Sequence, residues 1–455
     1  MSPHDNHEVS TMRSPRTTLT AAAAGCCLLL AGCGGDGAAD APADSVDRSA
    51  EIEAAMAEGG ELTLWTWSTK FDGAIEAFEA EHPNIDVELV NSGQSAEQYT
   101  ALQNAVSAGE NIPDLAMIEY FALPQLALSE QLESVNDWGL DTLEDQFTAS
   151  SWEQMSYNGA TYGLPNNTGP LILIYNQEVF ESAGAEPPAT WEEFAEAAEL
   201  IKEDSGAHIT SMDPGDAGGL NSLIWQGGGR PYQVDGESVG VDFSDESTQR
   251  VSGYWSDLLA DDLVSAQPGW TDEWWRALGD GSLASWVTGA WALGNISGTL
   301  TDNEGDFRVA PAPVWDADAP ENAENGGSGF SVVRGGENTA LAMGFLEWFS
   351  THEASLEAQV AGGNFPAQTA TLEDPAYLDQ EIDYFDGQQA NRVLAEASGL
   401  VADDWHYMPY QVYANSVFGD SVGPRIDAPG DVHEGLEEWG EELRSYGEQQ
   451  GFDVG

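Results

Sequence analysis

Lysine is almost absent from this chain, which contains only Lys70 and Lys202. Basic residues number 13 against 79 acidic residues, and the formal net charge is −66. Because such a surface repels phosphate groups, the composition excludes nucleic-acid binding and attraction to anionic lipids. We interpret the excess of acid as a solvated surface typical of proteins that fold at high salt, where screening weakens repulsion between like charges. A cation-binding surface is the alternative.

Cysteine is absent after residue 33, since the chain contains only Cys26, Cys27 and Cys33. This excludes a disulfide framework or a thiolate metal site in the rest of the chain. The seven histidines lack metal-ligand spacing, and no HExxH or P-loop motif occurs. We therefore predict no metal, no cofactor and no enzymatic activity. The alternative, a secreted carbohydrate-active enzyme, needs a carboxylate pair, and 79 acids make any such pair uninformative.

The N-terminus has the features of an export signal. Arg13 and Arg16 precede the apolar run Leu19–Ala31, which is too short to span a bilayer as a mature helix. The run ends in Leu30-Ala31-Gly32-Cys33, which resembles the bacterial lipobox. We predict a lipoprotein signal peptide over 1–32, with Met1 or Met12 as the start, and lipidation of Cys33 by palmitate. An ordinary signal peptide is the alternative.

Residues 33–60 are predicted to be a flexible tether, because their Gly, Ala, Asp, Pro and Ser content buries little apolar area. A lipid anchor and a tether place the protein on the outer face of the cytoplasmic membrane, outside the cell.

The length of 455 residues and the 41% of hydrophobic residues predict about two domains. Strand and helix patterns alternate from residue 62, where Leu62–Trp65 predicts a strand and Phe71, Ala74, Ile75 and Phe78 share one helix face. This alternation is typical of an α/β fold.

Two further local patterns follow. Thr190–Glu193 forms a capping box that predicts the start of a helix. The segment Asp316–Gly327, acidic and rich in glycine, predicts a surface loop.

Six motifs occur in a fixed order over about 61–452. They are Leu62–Lys70 with Phe71–Pro83, Ile112–Leu115, Tyr162–Pro165 with Leu173–Asn176, Pro187–Phe194, Leu278–Gly281 with Gly289–Trp291, and Gly363–Pro366. This series resembles the family 1 extracellular solute-binding proteins, the sugar-binding subunits of ABC importers, which include the maltose-binding type. The chain departs from the family pattern at Asp280–Ser282, where a lysine is usual, and near Trp286, where a methionine is usual.

The resemblance implies a periplasmic-binding-protein-like fold of type II, in which two α/β lobes are joined by three hinge crossings. The implied segments are 61–167 plus 310–365 for the N-terminal lobe, 177–306 plus 373–455 for the C-terminal lobe, and 168–176, 307–313 and 364–372 for the hinges. The ligand would bind between the lobes, which would close by hinge motion.

A sugar presents apolar C–H faces and hydroxyl edges, so its site needs aromatic rings together with carboxylates and amides. Glu119 and Tyr120 follow a predicted strand, and the carboxyl ends of strands are where α/β sheets bind ligands. Packing in the core is the alternative for each aromatic residue, and a helix cap is the alternative for Asp213. The predicted ligand-binding residues, most of them implied by the resemblance, are Trp67, Ser68, Lys70, Glu119, Tyr120, Asn166, Thr168, Asp213, Trp225, Trp286, Trp291, Ser328, Phe330, Trp405 and Tyr410.

The resemblance predicts a monomer that captures a sugar or oligosaccharide outside the cell and passes it to the permease subunits of an ABC transporter. The sugar and the permease stay open. Alternatives are a binding protein for another solute such as a polyamine, and a structural lipoprotein without a ligand.

Overall fold

The computed structural model describes residues 48–428 and 430–455. The predicted signal peptide, the lipidation of Cys33 and the two candidate starts lie outside these residues. Among the helices of the described part, none is both long enough and apolar enough to cross a membrane.

The described residues form fifteen strands. They are β1 Gly60–Trp65, β2 Ile85–Val90, β3 Leu115–Glu119, β4 Ser156–Tyr157, β5 Ala160–Thr161, β6 Leu164–Asn167, β7 Leu171–Asn176, β8 Thr210–Met212, β9 Tyr232–Asp235, β10 Ser238–Val241, β11 Val264–Ala266, β12 Ser285–Gly289, β13 Phe307–Pro311, β14 Ser328–Val332 and β15 Asp453–Val454.

Nineteen α-helices accompany them in the same part of the chain. They are α1 Ser49–Glu58, α2 Asp72–Glu81, α3 Ala96–Ala108, α4 Leu123–Leu128, α5 Ala149–Gln154, α6 Gln177–Ala183, α7 Trp191–Ser205, α8 Ala217–Gln226, α9 Glu246–Ala260, α10 Asp272–Gly279, α11 Ala292–Thr299, α12 Thr339–Thr351, α13 Glu353–Ala361, α14 Thr369–Leu372, α15 Pro375–Leu378, α16 Ala390–Ser398, α17 Gln411–Ser421, α18 Gly423–Asp427 and α19 Val432–Gln450.

The first sheet has five strands in the order β2-β1-β3-β14-β6. β1 pairs in parallel with β2 and β3, and β14 runs antiparallel to β3 and β6. In β2 the buried Ile85 and Val87 alternate with the exposed Asp86 and Glu88, because successive side chains of a strand point to opposite faces. The core of this part contains Phe71 and other rings of α2, α12 and β14.

A second sheet, β12-β7-β13, is antiparallel throughout, and its central strand β7 is almost fully buried. The largest core packs against this part of the fold and includes Trp191, Phe194, Trp255 and Trp439. The two sheets, each covered by helices, confirm the α/β class predicted from the sequence.

The start of α7 shows how local sequence sets a helix boundary. The Thr190 hydroxyl accepts a hydrogen bond from the Glu193 backbone N–H at 3.2 Å, and the Glu193 carboxylate accepts one from the Ala189 N–H at 2.8 Å. This pairing satisfies N–H groups that have no partner inside the helix. The predicted capping box is confirmed.

The N-terminal prediction needs a correction. Residues 49–58, placed in the tether, form α1, which packs on α12 and buries Ile52 to 8% exposure. The alanines of this segment favour a helix once an apolar partner is present. The tether prediction over 33–60 is therefore wrong for 49–58.

Two further predictions can be compared with the structure. The hinge segments 168–176 and 307–313 overlap β7 and β13, which are complete strands of the second sheet. The loop Asp316–Gly327 is not a surface loop throughout, since Asn322, Ala323 and Glu324 are at most 3% exposed. Backbone pairing with the chain near residue 170 draws this end of the segment inside.

Candidate ligand-binding cleft

One large cavity, with a volume of about 840 Å³, opens at the ends of strands from both parts of the fold. Trp67 follows β1, Glu119 ends β3 and Asp213 follows β8, and all three line the cavity. The carboxyl ends of strands are the usual place for ligands in α/β proteins. We call this cavity the cleft.

The cleft contains many of the residues predicted from the sequence. These are Trp67, Ser68, Lys70, Glu119, Asp213, Trp286, Trp291 and Ser328. They come from segments far apart in the chain, so the fold has brought them together.

Three predicted residues near the first crossing lie beneath the cleft and do not line it. Tyr120 is 1% exposed, and its hydroxyl donates to a backbone carbonyl of β6 at 2.7 Å. The Asn166 amide donates to Gln359 at 2.6 Å, and the Thr168 hydroxyl donates to Glu324 at 2.5 Å. All three are buried and none of them lines the cleft, so we remove them from the set of ligand contacts.

Four predicted aromatic residues also pack away from the cleft. Trp225 and Trp405 stack on each other with ring centroids 5.3 Å apart and planes inclined by 6°. Phe330 packs edge-on against Phe71 in the first core, and Tyr410 packs against α19. Each is at most 3% exposed, so core packing, the alternative for these rings, describes them.

The aromatic side of the cleft is a group of five indole rings, which we call the tryptophan wall. Its members are Trp270, Trp274, Trp275, Trp286 and Trp291, and all of them line the cleft. Neighbouring centroids lie between 4.7 and 6.0 Å apart, mostly edge to face. Such contacts are favourable because the positive ring edge meets the negative face.

Hydrogen bonds orient two rings of this wall. The Trp291 indole N–H donates to the Asn325 carbonyl at 2.7 Å, and the Trp274 indole N–H donates to the Ser211 hydroxyl at 2.9 Å. Trp291 stands at the N-terminus of α11, and Trp274 lies in the first turn of α10. A fixed ring loses little conformational freedom when a ligand stacks on it.

Glu119 supplies a carboxylate on the polar side of the cleft. Its Oε2 accepts hydrogen bonds from the Ser95 hydroxyl at 2.6 Å and the Tyr99 hydroxyl at 3.0 Å. Burial raises the pKa of Glu119, these two bonds lower it, and the nearby Asp216 carboxylate raises it. Its Oε1 has no hydrogen-bond partner among the described residues and is not among their buried unpartnered atoms. This oxygen is therefore free to accept a ligand hydroxyl.

Asp213 and Asp216 line the cleft next to the start of α8. Asp213 accepts backbone N–H bonds from Gly215 at 2.7 Å and Gly269 at 2.8 Å, so it joins two loops, and the cap position of α8 belongs to Asp216. Burial raises the pKa of Asp216, and the N–H groups of the first turn of α8 oppose that rise.

Lys70 is the basic residue of the cleft lining. Its ammonium group donates to the Gly363 carbonyl at 3.2 Å, and no carboxylate lies within salt-bridge distance among the described residues. Burial lowers the pKa of Lys70. The ammonium also lies close to the Cα hydrogen face of Gly294 in α11, where a Cβ would approach it to 3.3 Å.

Glu324 lies directly behind the cleft. It is fully buried, and its Oε1 accepts hydrogen bonds from the Ser150 hydroxyl at 2.8 Å and the Thr168 hydroxyl at 2.5 Å. Its Oε2 is buried without a partner. Burial raises the pKa of Glu324 to about 7, although the two hydroxyl bonds act in the opposite direction.

The next residues, Asn325 to Ser328, form the floor of the cleft. Gly327 has a φ of 100°, and a Cβ at this position would come within 2.4 Å of the Tyr120 ring. Only glycine fits both this conformation and this contact. Tyr120 therefore supports the floor from below.

Several lining residues were not predicted from the sequence. They include Phe121, Asp216, Asn221, Trp270, Trp274, Trp275, Asn325 and Tyr407. Three tryptophans within residues 270–275 are an unusual local density that could have drawn attention to this segment. The amides and Tyr407 carry no such pattern, because only the fold brings them to the cleft.

The cleft presents both apolar and polar groups. The wall offers apolar ring faces, and Glu119, Asp216 and the amides offer hydrogen-bond acceptors and donors. Among the described residues, no group of three or more histidine, cysteine, aspartate or glutamate side chains could hold a metal ion.

Comparison with known proteins agrees with this arrangement. Residues 66–355 match the family described as bacterial extracellular solute-binding protein. A binding protein of an ABC transporter from B. animalis subsp. lactis Bl-04, solved with β-1,6-galactobiose, is 33% identical with a TM-score of 0.78, covering 87% of this chain and 99% of that one. The galacto-N-biose/lacto-N-biose I-binding protein of Bifidobacterium longum, solved with lacto-N-biose, is 25% identical with a TM-score of 0.77, covering 88% and 99%.

A curated relative has a similar extent. The arabinooligosaccharide-binding protein of Halalkalibacterium halodurans is 24% identical over 370 residues, which cover 78% of this chain and 82% of that protein. Because the family match spans more than half of the sequence, the chain belongs to the bacterial extracellular solute-binding protein family.

Proposed function

We propose that this protein captures a neutral di- or oligosaccharide in the cleft and delivers it to an ABC importer. The observation that carries the proposal is one cavity that combines the tryptophan wall with the free Oε1 of Glu119. Aromatic faces bind the C–H faces of a sugar ring, and a carboxylate oxygen accepts its hydroxyls. This ligand class is supported by a relative that is named for arabinooligosaccharides and by two similar structures that were solved with β-1,6-galactobiose and lacto-N-biose.

The proposal includes a closing motion of two lobes. The chain passes between the two sheets within 168–170 and 312–327, and again within 364–372, where Ala367 packs in the first core and Leu372 packs in the core that contains residues of β7. In this proposal the first two segments take the place of the predicted limits 168–176 and 307–313, and the predicted third limit, 364–372, is kept. The lobe limits shift with them, so that residues 310–311 belong to the second sheet.

We further propose that the protein works outside the cell as a monomer, held at the membrane by a lipid on Cys33. Its binding chemistry needs no bond cleavage, so incubation with oligosaccharides should give no products. Product formation, measured by chromatography, would support the alternative of a secreted carbohydrate-active enzyme.

The test of the main proposal is a thermal-unfolding screen over mono- and oligosaccharides at low and high salt, followed by titration calorimetry. A ligand present at 100 times its Kd should stabilise the protein by about 2.7 kcal/mol. Spermidine serves as a polyamine comparison. Stabilisation by spermidine and by no sugar would overturn the proposal.

The variant Trp291→Ala should lose most of the affinity, by about 2 kcal/mol, because buried aromatic anchors dominate binding energy. Leu200→Ala, an exposed residue of α7 that is 43% exposed, is the matched control and should bind as the parent does. Unchanged affinity in Trp291→Ala would remove this ring from the site.

A further inference from the structure

A series of hydrogen bonds joins three amide side chains, Gln359, Asn364 and Asn167, which we call the amide chain. Gln359 lies in α13 and is 1% exposed, and Asn364 follows this helix and is 5% exposed. Asn167 ends β6. Asn364 and Asn167 line the cleft, whereas Gln359 is not part of its lining. The amide chain therefore leads from the interior of the protein to the cleft.

The Gln359 amide is completely used inside the protein. Its Nε2 donates to the Phe349 carbonyl at 2.8 Å and to the Ser355 hydroxyl at 2.9 Å. Its Oε1 accepts from Nδ2 of Asn166 at 2.6 Å and from Nδ2 of Asn364 at 3.3 Å. A side-chain amide can donate two hydrogen bonds and accept two, so Gln359 has no group left for a ligand.

The amide chain continues through Asn364 to Asn167. The second N–H of Asn364 donates to the Asn166 carbonyl at 3.3 Å, and its Oδ1 accepts from Nδ2 of Asn167 at 3.4 Å. The Oδ1 of Asn167 accepts from the Ser328 backbone N–H at 2.8 Å and from the Ser328 hydroxyl at 3.0 Å. The amide chain therefore ends on β14, at the floor of the cleft.

Backbone groups at both ends fix the direction of the amide chain. The Phe349 carbonyl can only accept a hydrogen bond, and the Ser328 backbone N–H can only donate one. If one amide between them turned over, two N–H groups or two oxygens would face each other, and buried polar groups would lose their partners. Each amide therefore has one orientation, and the oxygen of Asn167 points to Ser328.

This orientation decides what Asn167 offers to the cleft. Both acceptor positions of its oxygen are used by Ser328, and one N–H is used by Asn364. The other N–H has no partner among the described residues, and Nδ2 of Asn167 is not among their buried unpartnered atoms. Asn167 therefore presents a donor to the cleft. Glu119, on the strand at the other side of β14, presents an acceptor.

We propose that Gln359 is a positioning residue for ligand recognition, which acts through Asn364 to hold Asn167 so that its free N–H donates to an oxygen of the sugar. This inference rests on the proposed function, because the sugar supplies the oxygen. Gln359 itself touches no ligand. Its effect on affinity is carried by the two asparagines of the amide chain.

The first experiment needs no ligand and measures hydrogen–deuterium exchange of the Ser328 backbone N–H in the full chain. Gln359→Met keeps the length of the side chain and removes its four hydrogen bonds, so Asn364 and Asn167 are held less firmly. Exchange at Ser328 should become about fivefold faster, because the N–H loses its acceptor more often. The expected result is this increase, read by mass spectrometry with fragmentation.

Gln368→Met is the matched control. Gln368 is a buried amide of the same crossing segment, 3% exposed, and donates to the Ser350 carbonyl at 2.7 Å without contacting the amide chain. Its loss should destabilise the protein to a similar degree and leave exchange at Ser328 unchanged. Thermal unfolding without ligand checks that each variant folds.

The second experiment is calorimetric titration with β-1,6-galactobiose, lacto-N-biose and arabinotriose. Gln359→Met should weaken binding of each sugar that the parent binds by about fivefold, and Gln368→Met should bind as the parent does. A loss of affinity together with faster exchange at Ser328 is the result expected of a positioning residue.

Gln359→Glu provides a rescue by pH. Burial raises the pKa of a carboxyl group, and in its protonated form Glu can donate to the Phe349 carbonyl and accept from both asparagines. The ionised form would instead oppose that carbonyl. None of the groups that contact Gln359 titrates. Relative to the parent at the same pH, affinity and exchange at Ser328 should be almost normal at pH 5 and impaired at pH 8.

The outcomes separate the two proposals. Unchanged exchange at Ser328 in Gln359→Met, and in Gln359→Glu at pH 8, would overturn the positioning role whether or not a sugar binds. Faster exchange with unchanged affinity would overturn the contact between Asn167 and the ligand. Equal losses in Gln359→Met and Gln368→Met would show that Gln359 only stabilises the fold. Absence of binding by the parent to every sugar tested would overturn the proposed function itself.

Discussion

Two carboxylates of this protein, Glu119 and Glu324, share one arrangement and have different surroundings. In each, a single oxygen accepts hydrogen bonds from two hydroxyl groups, supplied by Ser95 and Tyr99 for Glu119 and by Ser150 and Thr168 for Glu324. The second oxygen of Glu119 opens on the cleft, whereas that of Glu324 is buried without a partner.

The comparison shows how the surroundings decide the behaviour of a carboxylate oxygen that has no hydrogen-bond partner in the protein. Where a ligand can reach this oxygen, it is available as an acceptor, and the hydrogen bonds to the other oxygen of the same carboxylate hold it in place. Where nothing reaches it, ionisation leaves a buried charge without compensation, so the pKa of the group rises. Burial raises the pKa of both groups, to about 7 for Glu324.

The largest expected effect concerns Glu324, the buried carboxyl group. The pKa of Glu324 rises from 4.5 to about 7 on folding, so the folded state binds the proton more tightly. This contribution to stability is present below pH 4.5 and is lost as pH rises through 7. Relative to Glu324→Gln, the parent should lose about 2 kcal/mol of unfolding free energy between pH 5.5 and 8.5, at roughly 1.4 kcal/mol per pKa unit.

Urea unfolding of both proteins across that range, at constant salt, measures this difference. The groups that face Glu324 are the neutral hydroxyls of Ser150 and Thr168 and the tyrosines Tyr120 and Tyr407. Glu199→Gln, on the exposed face of α7, controls for loss of one charge. A parent-to-variant difference that stays constant with pH would show that Glu324 does not titrate on folding.

The second prediction concerns Glu119, the carboxylate that lines the cleft. Glu119→Gln keeps the shape of the side chain but replaces a charged acceptor, so sugar affinity should fall by about 1.5 kcal/mol, or roughly tenfold. The same change removes a partly buried charge and should raise the melting temperature of the unliganded protein. Calorimetry and thermal unfolding, with Glu199→Gln as the control, test both parts. Unchanged affinity would mean that this carboxylate does not contact the ligand.

The smallest effect compares the hydroxyl donors of the two sites. Ser95→Ala should weaken sugar binding by about 1 kcal/mol, because Glu119 loses a bond that orients it, and should change stability little. Ser150→Ala should cost a similar amount of stability at pH 8 and leave affinity unchanged. Both quantities are measured on both variants. If Ser95→Ala and Ser150→Ala change affinity and stability in the same way, the proposed difference in role between Glu119 and Glu324 is wrong.

The sequence predicted a local structure correctly where the residues that determine it lie within one short segment. The apolar face of Phe71, Ala74, Ile75 and Phe78 corresponds to α2, and the capping box at Thr190 corresponds to the start of α7. The helix α1 escaped prediction because its single buried residue, Ile52, gains a partner only when α12 is in place.

The sequence predicted only part of the site, because many of its residues come together only in the tertiary structure. Trp67 and Glu119 follow recognisable strands, so their position at the cleft followed from the order of the elements. Trp225 and Trp405 are far apart in sequence and stack on each other, and no local pattern distinguishes such a pair from ligand contacts. Glu324 lay in a segment whose acids and glycines are typical of a solvent-exposed loop, and only tertiary pairing buries it.

The tryptophan wall has an optical consequence. Five indoles at contact distance exchange excitation energy, so light absorbed by one ring can be emitted by another. A molecule that displaces water from Trp270, which is 52% exposed, should therefore alter the fluorescence of the whole group. Intrinsic tryptophan fluorescence is therefore a label-free way to measure ligand binding at the proposed site.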